Sequence, residues 1–156
     1  NRSMQHTLEA REQLAGVLRL CRAPWLFAPY WIDAHPDHVA ASKLVEAARF
    51  WAKLTKTDMP GKPFHPTRIY NYFSVHLKLA LQPAFILDVS TTWANKMAAV
   101  RCYQSQFERQ PDDTAISFYD KLTIDGQHWG HLIGAEHGEP FACREPLGLK
   151  SLDELF

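Results

Sequence analysis

Trp25-Leu26-Phe27-Ala28-Pro29-Tyr30 is apolar along its whole length, carries no charge and is too short to be a helix. Such a run reads as a β-strand buried on both faces, the habit of parallel sheets covered by helices. On its amino side, Leu14, Val17, Leu18 and Cys21 recur at helical spacing among charged residues. They predict an amphipathic helix over 7–22, stopped by Ala23-Pro24. On its carboxyl side a polar turn over 31–38 leads into a second helix, with Ala41, Leu44, Val45, Ala48 and Trp51 or Ala52 as the inward stripe. Pro60, Gly61, Pro63 and Pro66 mark 53–66 as loop. Strands are expected at 68–73 and 84–89, both rich in β-branched and aromatic residues. A helix follows from Ser90 or Thr91 to about Phe107, with Trp93, Met97, Val100 and Tyr103 inward. A polar loop over 108–113 precedes a last helical stretch over 116–133, and the tail from Gly138 has two prolines and little periodicity.

This order predicts an α/β layered domain, one domain over 1–156. Three strands and four helices barely supply the neighbours that a strand buried on both faces requires. Part of the sheet is therefore expected outside this chain, in an amino-terminal portion or a partner subunit. The 156 residues carry 17 Lys+Arg against 17 Asp+Glu, so the electrostatic footprint of a general nucleic-acid or anionic-membrane binder is missing. No apolar run approaches the ~18–20 residues of a membrane span. The first six residues contain no signal-peptide apolar core, and Cys21, Cys102 and Cys143 are too widely spaced for a framework. Free thiols, each a small buried hydrophobe, and a cytoplasmic location are expected.

The chemistry concentrates in Asp33-Ala34-His35-Pro36-Asp37-His38, directly after the buried strand. Open α/β sheets gather ligands just beyond the carboxyl ends of their strands. Pro36 is tolerated in the first turn of a helix, which would project His38 back toward the strand end. Neutral imidazole is the commonest metal ligand, and a neighbouring carboxylate fixes its tautomer; Asp37 or Asp33 can serve one of the two histidines in that way. The motif offers one or two ligands where a catalytic zinc takes three. His128-Trp129-Gly130-His131 repeats the spacing without a paired carboxylate and reads as a polar helix face. His137, His65 and His76 read as loop residues. There is no glycine-rich phosphate loop and no Gly-x-Ser-x-Gly elbow.

Phe27-Ala28-Pro29-Tyr30 with Asp33-Ala34-His35-Pro36-Asp37-His38 resembles the second metal motif of the LmbE/PIG-L-like zinc N-deacetylases. Ile69-Tyr70-Asn71-Tyr72, Phe85-Ile86-Leu87-Asp88-Val89-Ser90 and Tyr103-Gln104-Ser105-Gln106-Phe107 agree in the expected order. Ile133-Gly134, Gly138-Glu139-Pro140-Phe141 and Arg144-Glu145-Pro146-Leu147 match the family's ending, so the resemblance spans nearly the whole chain. It is nearest to the bacillithiol-biosynthesis-type deacetylases of N-acetylglucosaminyl substrates. The resemblance implies a Rossmann-like α/β domain with a mostly parallel sheet and helices on both faces. It also implies one zinc ion (Zn2+), an N-acetylated sugar as the small-molecule substrate, and homo-oligomers. By position His38 is the zinc ligand. His35 matches the histidine that acts as general acid or stabilises the oxyanion, and Asp37 is its carboxylate partner. The family's early Ala-His-Pro-Asp-Asp motif, which supplies a His and an Asp ligand and the general base, has no counterpart here. The chain is therefore expected to be the carboxy-terminal portion of such a domain, to need the amino-terminal third for a full metal site, and to be inactive alone. A mobile active-site tyrosine of some relatives falls at Phe118, beside Tyr119. The rival reading is a non-catalytic carbohydrate-binding or assembly module with a degenerate metal site. A metal-free hydrolase built on a His–Asp dyad is a weaker rival, for want of a nucleophile.

Overall fold

The computed structural model describes residues 3–74, 79–107, 116–151 and 153; His76 and the expected loop over 108–113 lie outside them. The chain divides into two compact units, Asn1–Gln82 with Ala142–Phe156, and Pro83–Phe141.

In the first unit, α1 (Leu8–Cys21) begins where the Thr7 hydroxyl accepts the Ala10 N–H. It ends at Arg22, whose left-handed backbone (φ 50°) returns its N–H to Leu18 O. β1 (Trp25–Pro29) and β2 (Arg68–Tyr72) pair in parallel, Trp25 opposite Arg68 and Pro29 opposite Tyr72. Between them runs α2 (Pro36–Ala52), the crossover that a parallel pair requires. Ala15, Leu18, Ala48, Ala52 and Met59 form the core, with Leu14, Leu26 and Trp51 packed on it. The small residues let α1 and α2 approach closely, and Pro60 Cγ lies only 3.0 Å from where a Cβ on Gly16 would sit.

Two expectations change here. On α1 the buried set is Ala15, Gly16, Leu18 and Arg19, whereas Val17 and Cys21 are exposed. The residues after α2 explain the shift. Arg19 donates through Nε to Ala52 O (3.0 Å), through Nη1 to Met59 O (3.1 Å), and also to Leu54 O and Thr57 Oγ1. A buried guanidinium thus closes the carboxyl end of α2, where carbonyls lack partners and a cation is favoured. β1, in turn, is not covered on both faces along its length. Leu26 packs on the core while Trp25 and Phe27 remain 59% and 56% exposed, since no described helix of this unit covers their side.

In the second unit, β3 (Phe85–Asp88) pairs antiparallel with β4 (Gly138–Ala142), Phe85 opposite Phe141 with their rings stacked at 5.3 Å. Gly138 is required there: a Cβ would lie 2.8 Å from both Gly130 N and Ile86 Cγ2. The single helix expected over 90–107 is three pieces: a 3-10 turn (Ser90–Thr92), α3 (Trp93–Arg101) and α4 (Gln104–Phe107). The break follows from tightening, as Cys102 and Tyr103 bond back three residues to Ala99 O and Val100 O. Tyr103 and Cys102 are exposed rather than inward. α5 (Phe118–His131) is capped by the Ser117 hydroxyl, which accepts the Asp120 N–H at 3.1 Å. His137, read from sequence as a surface loop residue, is buried flat against Trp93 with ring centroids 4.3 Å apart. Parallel and antiparallel strand pairs with helices make this an α/β fold, as expected.

Candidate functional site

The loop after β1 is short and heavily bonded. Tyr30 continues the strand pairing through its N–H to Tyr72 O (2.9 Å), and Asn71 Nδ2 donates to Pro29 O (2.9 Å), tying the two strand ends together. α2 then opens with Pro36 in the first helical position, as the sequence led us to expect, and with His35 as its cap.

Asp33 organises this loop. Its side chain is 0% exposed; Oδ1 accepts the His35 backbone N–H at 2.8 Å and Oδ2 lies 2.8 Å from His38 Nδ1. Burial works to raise the Asp33 carboxyl. The His35 N–H, the His38 ring and the Ser74 hydroxyl outweigh it and hold the group below the usual carboxylate range. An ionised carboxylate only accepts, so His38 Nδ1 is the donor in this pair. Burial and then the Asp33 charge push the neighbouring Tyr72 phenol up.

His35 stands the other way round. Its Nδ1 accepts the Asp37 backbone N–H at 3.2 Å, which requires that nitrogen to be unprotonated. The His35 and His38 rings stack, centroids 4.8 Å apart and planes 23° from parallel. The Asp37 carboxylate, which the resemblance pairs with His35, accepts the Met4 N–H at 3.1 Å, and it sits in the first turn of α2, where the helix dipole favours negative charge. The structure therefore brings His35, His38 and Asp33 together, and Asp37 reaches His35 through its backbone. Asp33 is the residue whose partner the sequence left open. The signal was its place between the strand end and the first helical turn.

Around the loop, Tyr30 packs on Trp31 and Phe73 (4.1 and 4.8 Å), and Arg144 lies 4.5 Å over Trp31 while its Nε bonds Glu46 at 2.9 Å. A cleft of about 150 Å³ opens beside them, lined by Glu46, Arg49, Ile69, Asn71, Arg144 and Glu145. In the second unit Phe118 is stacked on Phe107 at 3.9 Å, and Arg101 lies 5.9 Å over the Tyr119 ring. His128 and His131 are exposed on α5. Among the described residues no group of three or more His, Cys, Asp or Glu side chains can hold a metal ion. The zinc implied by the resemblance thus does not find a complete ligand set among the described residues. No helix of the described residues is long and apolar enough to cross a membrane.

No family model matches the chain. It is 27% identical over 147 residues to a diacetylchitobiose deacetylase of Thermococcus kodakarensis, covering 87% of this chain and 51% of that protein. A solved structure of a conserved protein from Thermus thermophilus is similar with a TM-score of 0.81 and 32% identity, over 95% of this chain and 64% of that one. An inhibitor-bound N,N'-diacetylchitobiose deacetylase from Pyrococcus horikoshii has the same fold (TM-score 0.75, 23% identity, 100% of this chain and 59% of that one). So does the 4-carboxy-2-hydroxymuconate hydratase of Pseudomonas putida (TM-score 0.76, 18% identity, 96% of this chain and 64% of that one). The hydratase shows that the fold alone does not set the reaction. The chain spans about half the length of the curated deacetylase and less than two thirds of each of these solved chains. Similarity to a deacetylase across most of the chain, with the histidine motif at the strand end, supports the LmbE/PIG-L-like deacetylase family.

Proposed function

We propose that this chain carries one wall of the active site of a zinc-dependent hydrolase that removes the acetyl group from an N-acetylglucosamine-type sugar. The observation that carries the reading is the pair of stacked imidazoles after β1, one of them held through Nδ1 by a buried carboxylate. The sugar class rests on the likeness to diacetylchitobiose deacetylase, and the sequence resemblance suggests a bacillithiol precursor within it. In this reading His38 is a metal ligand and Asp37 orients His35 through the helix cap. With Nδ1 occupied by the cap, His35 donates from Nε2 to the acetyl oxygen as it gains negative charge. A donor placed in that way contributes ~2.7–4 kcal/mol to such reactions. Zinc, when bound, supplies Lewis-acid chemistry at the same carbonyl. In this reading the remaining ligands come from the amino-terminal motif that the resemblance implies, and the chain without it binds zinc weakly and does not deacetylate.

The test is deacetylation of N,N'-diacetylchitobiose, with zinc content measured alongside, on protein with its full metal site. His35→Ala lowers turnover and keeps zinc, whereas His38→Ala loses the metal. Normal turnover and equal zinc content in both variants would end the assignment, as would full zinc stoichiometry on the isolated chain. The alternative, a non-catalytic carbohydrate-binding or assembly module, is favoured by the lack of a three-ligand group among the described residues. An Ala-His-Pro-Asp-Asp-type segment encoded upstream in the reading frame decides for the enzyme.

A further inference from the structure

We propose that Asp33 is a positioning residue that sets His38 and its stacked neighbour His35 in opposite tautomers, so that the two rings present a nitrogen lone pair and an N–H side by side. The inference deepens the reading above, in which His38 is a metal ligand and His35 a donor. It rests on three contacts. Asp33 Oδ2 lies 2.8 Å from His38 Nδ1, in a side chain with no exposed surface, and a buried carboxylate keeps its charge only when its oxygens are satisfied by donors. The proton of neutral His38 is therefore on Nδ1, and Nε2 carries the lone pair. His35 Nδ1 receives the Asp37 N–H at the start of α2, which puts its proton on Nε2. The Asp33 Oδ1 bond to the His35 N–H, 2.8 Å, fixes the backbone from which that ring projects, so one carboxylate holds both histidines in register. Asp37 meets His35 through its backbone N–H, while its carboxylate accepts the Met4 N–H.

The arrangement answers a chemical requirement. Two identical imidazoles with 4.8 Å between centroids would compete for one role unless something distinguishes them. A carboxylate on one Nδ1 and a helix N–H on the other do so without a change in residue type. Carboxylate partners of this kind typically change metal affinity ~10–100-fold when removed.

The experiment is long-range 15N–1H NMR of the full chain labelled at histidine, without metal and at a pH where both rings are neutral. His38 and His35 are assigned by His38→Gln and His35→Gln. The expected spectrum has the proton of His38 on Nδ1 and that of His35 on Nε2. Asp33→Ala moves the His38 proton to Nε2, and Asp33→Asn gives a mixture because its carboxamide oxygen still accepts. A wild-type spectrum with the His38 proton on Nε2 overturns the inference by itself, whether or not any variant folds. An unchanged His38 in a folded Asp33→Ala chain does the same. The spectra need no zinc and no turnover, so a failed deacetylation assay removes the proposed activity and leaves this result standing.

Discussion

His128 and His131 stand three residues apart near the end of α5, as His35 and His38 do at the start of α2, yet the two pairs meet different chemistry. Three-residue spacing puts both rings of each pair on one side of a helix. The difference is the end of the helix. At its amino end, unpaired N–H groups press a ring nitrogen into accepting, as Asp37 N–H does to His35. At its carboxyl end, carbonyls press a ring nitrogen into donating, and an exposed imidazole there simply complements the dipole. His128 meets only the edge of Trp129 among the ring contacts, at 5.0 Å, and no described ion pair joins it or His131 to a carboxylate. A spacing motif becomes a candidate site when its surroundings assign the protons.

The largest expected effect attacks that assignment directly. Asp33→Ala removes a covered, accepting carboxylate from two half-buried donors and is expected to destabilise the chain by about 2 kcal/mol. Asp125→Ala, an exposed acid on α5, should stay within about 0.5 kcal/mol. Urea unfolding compares the two, and equal losses would erase the distinction between the pairs. Next comes the cap: His35→Ala should cost ~1 kcal/mol, while His35→Asn restores the stability but not the turnover. An Asn variant that recovers both would reduce His35 to a helix cap.

Glu145 calibrates the other end of the scale, because it is 47% exposed where Asp33 is fully covered. The Arg49 hydrogen bond, chiefly, holds the Glu145 carboxyl below its usual range, with Arg68 and His65 adding to it against a smaller burial cost. A lowered folded pKa means that the unfolded chain binds more protons in the acid window. The contribution is then complete above the ordinary carboxylate value of ~4.3 and is lost as the pH falls through the folded one. At such exposure it should be at most about 1 kcal/mol. Glu145→Gln should flatten the acid limb of stability by that amount at low salt, and less in high salt. Smallest of all, His128→Ala and His131→Ala should each change stability by less than about 0.5 kcal/mol.

The parts legible in the sequence were those governed by neighbours along the chain. The helix opened by His35-Pro36, the strand ending at Pro29 and the strand at Arg68–Tyr72 all stand where local pattern placed them. The misreadings share a cause, which is contact from distant segments. Arg19 turned inward because carbonyls from residues 52–59 surround it, and no periodicity in α1 announces them. β4 contains Pro140 and draws its pairing from β3, about 50 residues earlier in the chain, so neither alternation nor length marked it. His137 is covered by Trp93 in the same way. In the site, the histidines were legible from spacing, but which carboxylate serves which ring was a matter of turn geometry. The residues left Asp37 or Asp33 open for either ring and the resemblance paired Asp37 with His35; the fold places Asp33 on His38.

One ring, that of His35, is both the first bond of α2 and a member of the site. Swinging it to another rotamer strands an amide hydrogen, at ~1 kcal/mol, which biases the side chain roughly fivefold toward the presented orientation before any ligand arrives. Helix initiation thereby does the preorganising that an enzyme otherwise obtains from a surrounding shell of packed side chains.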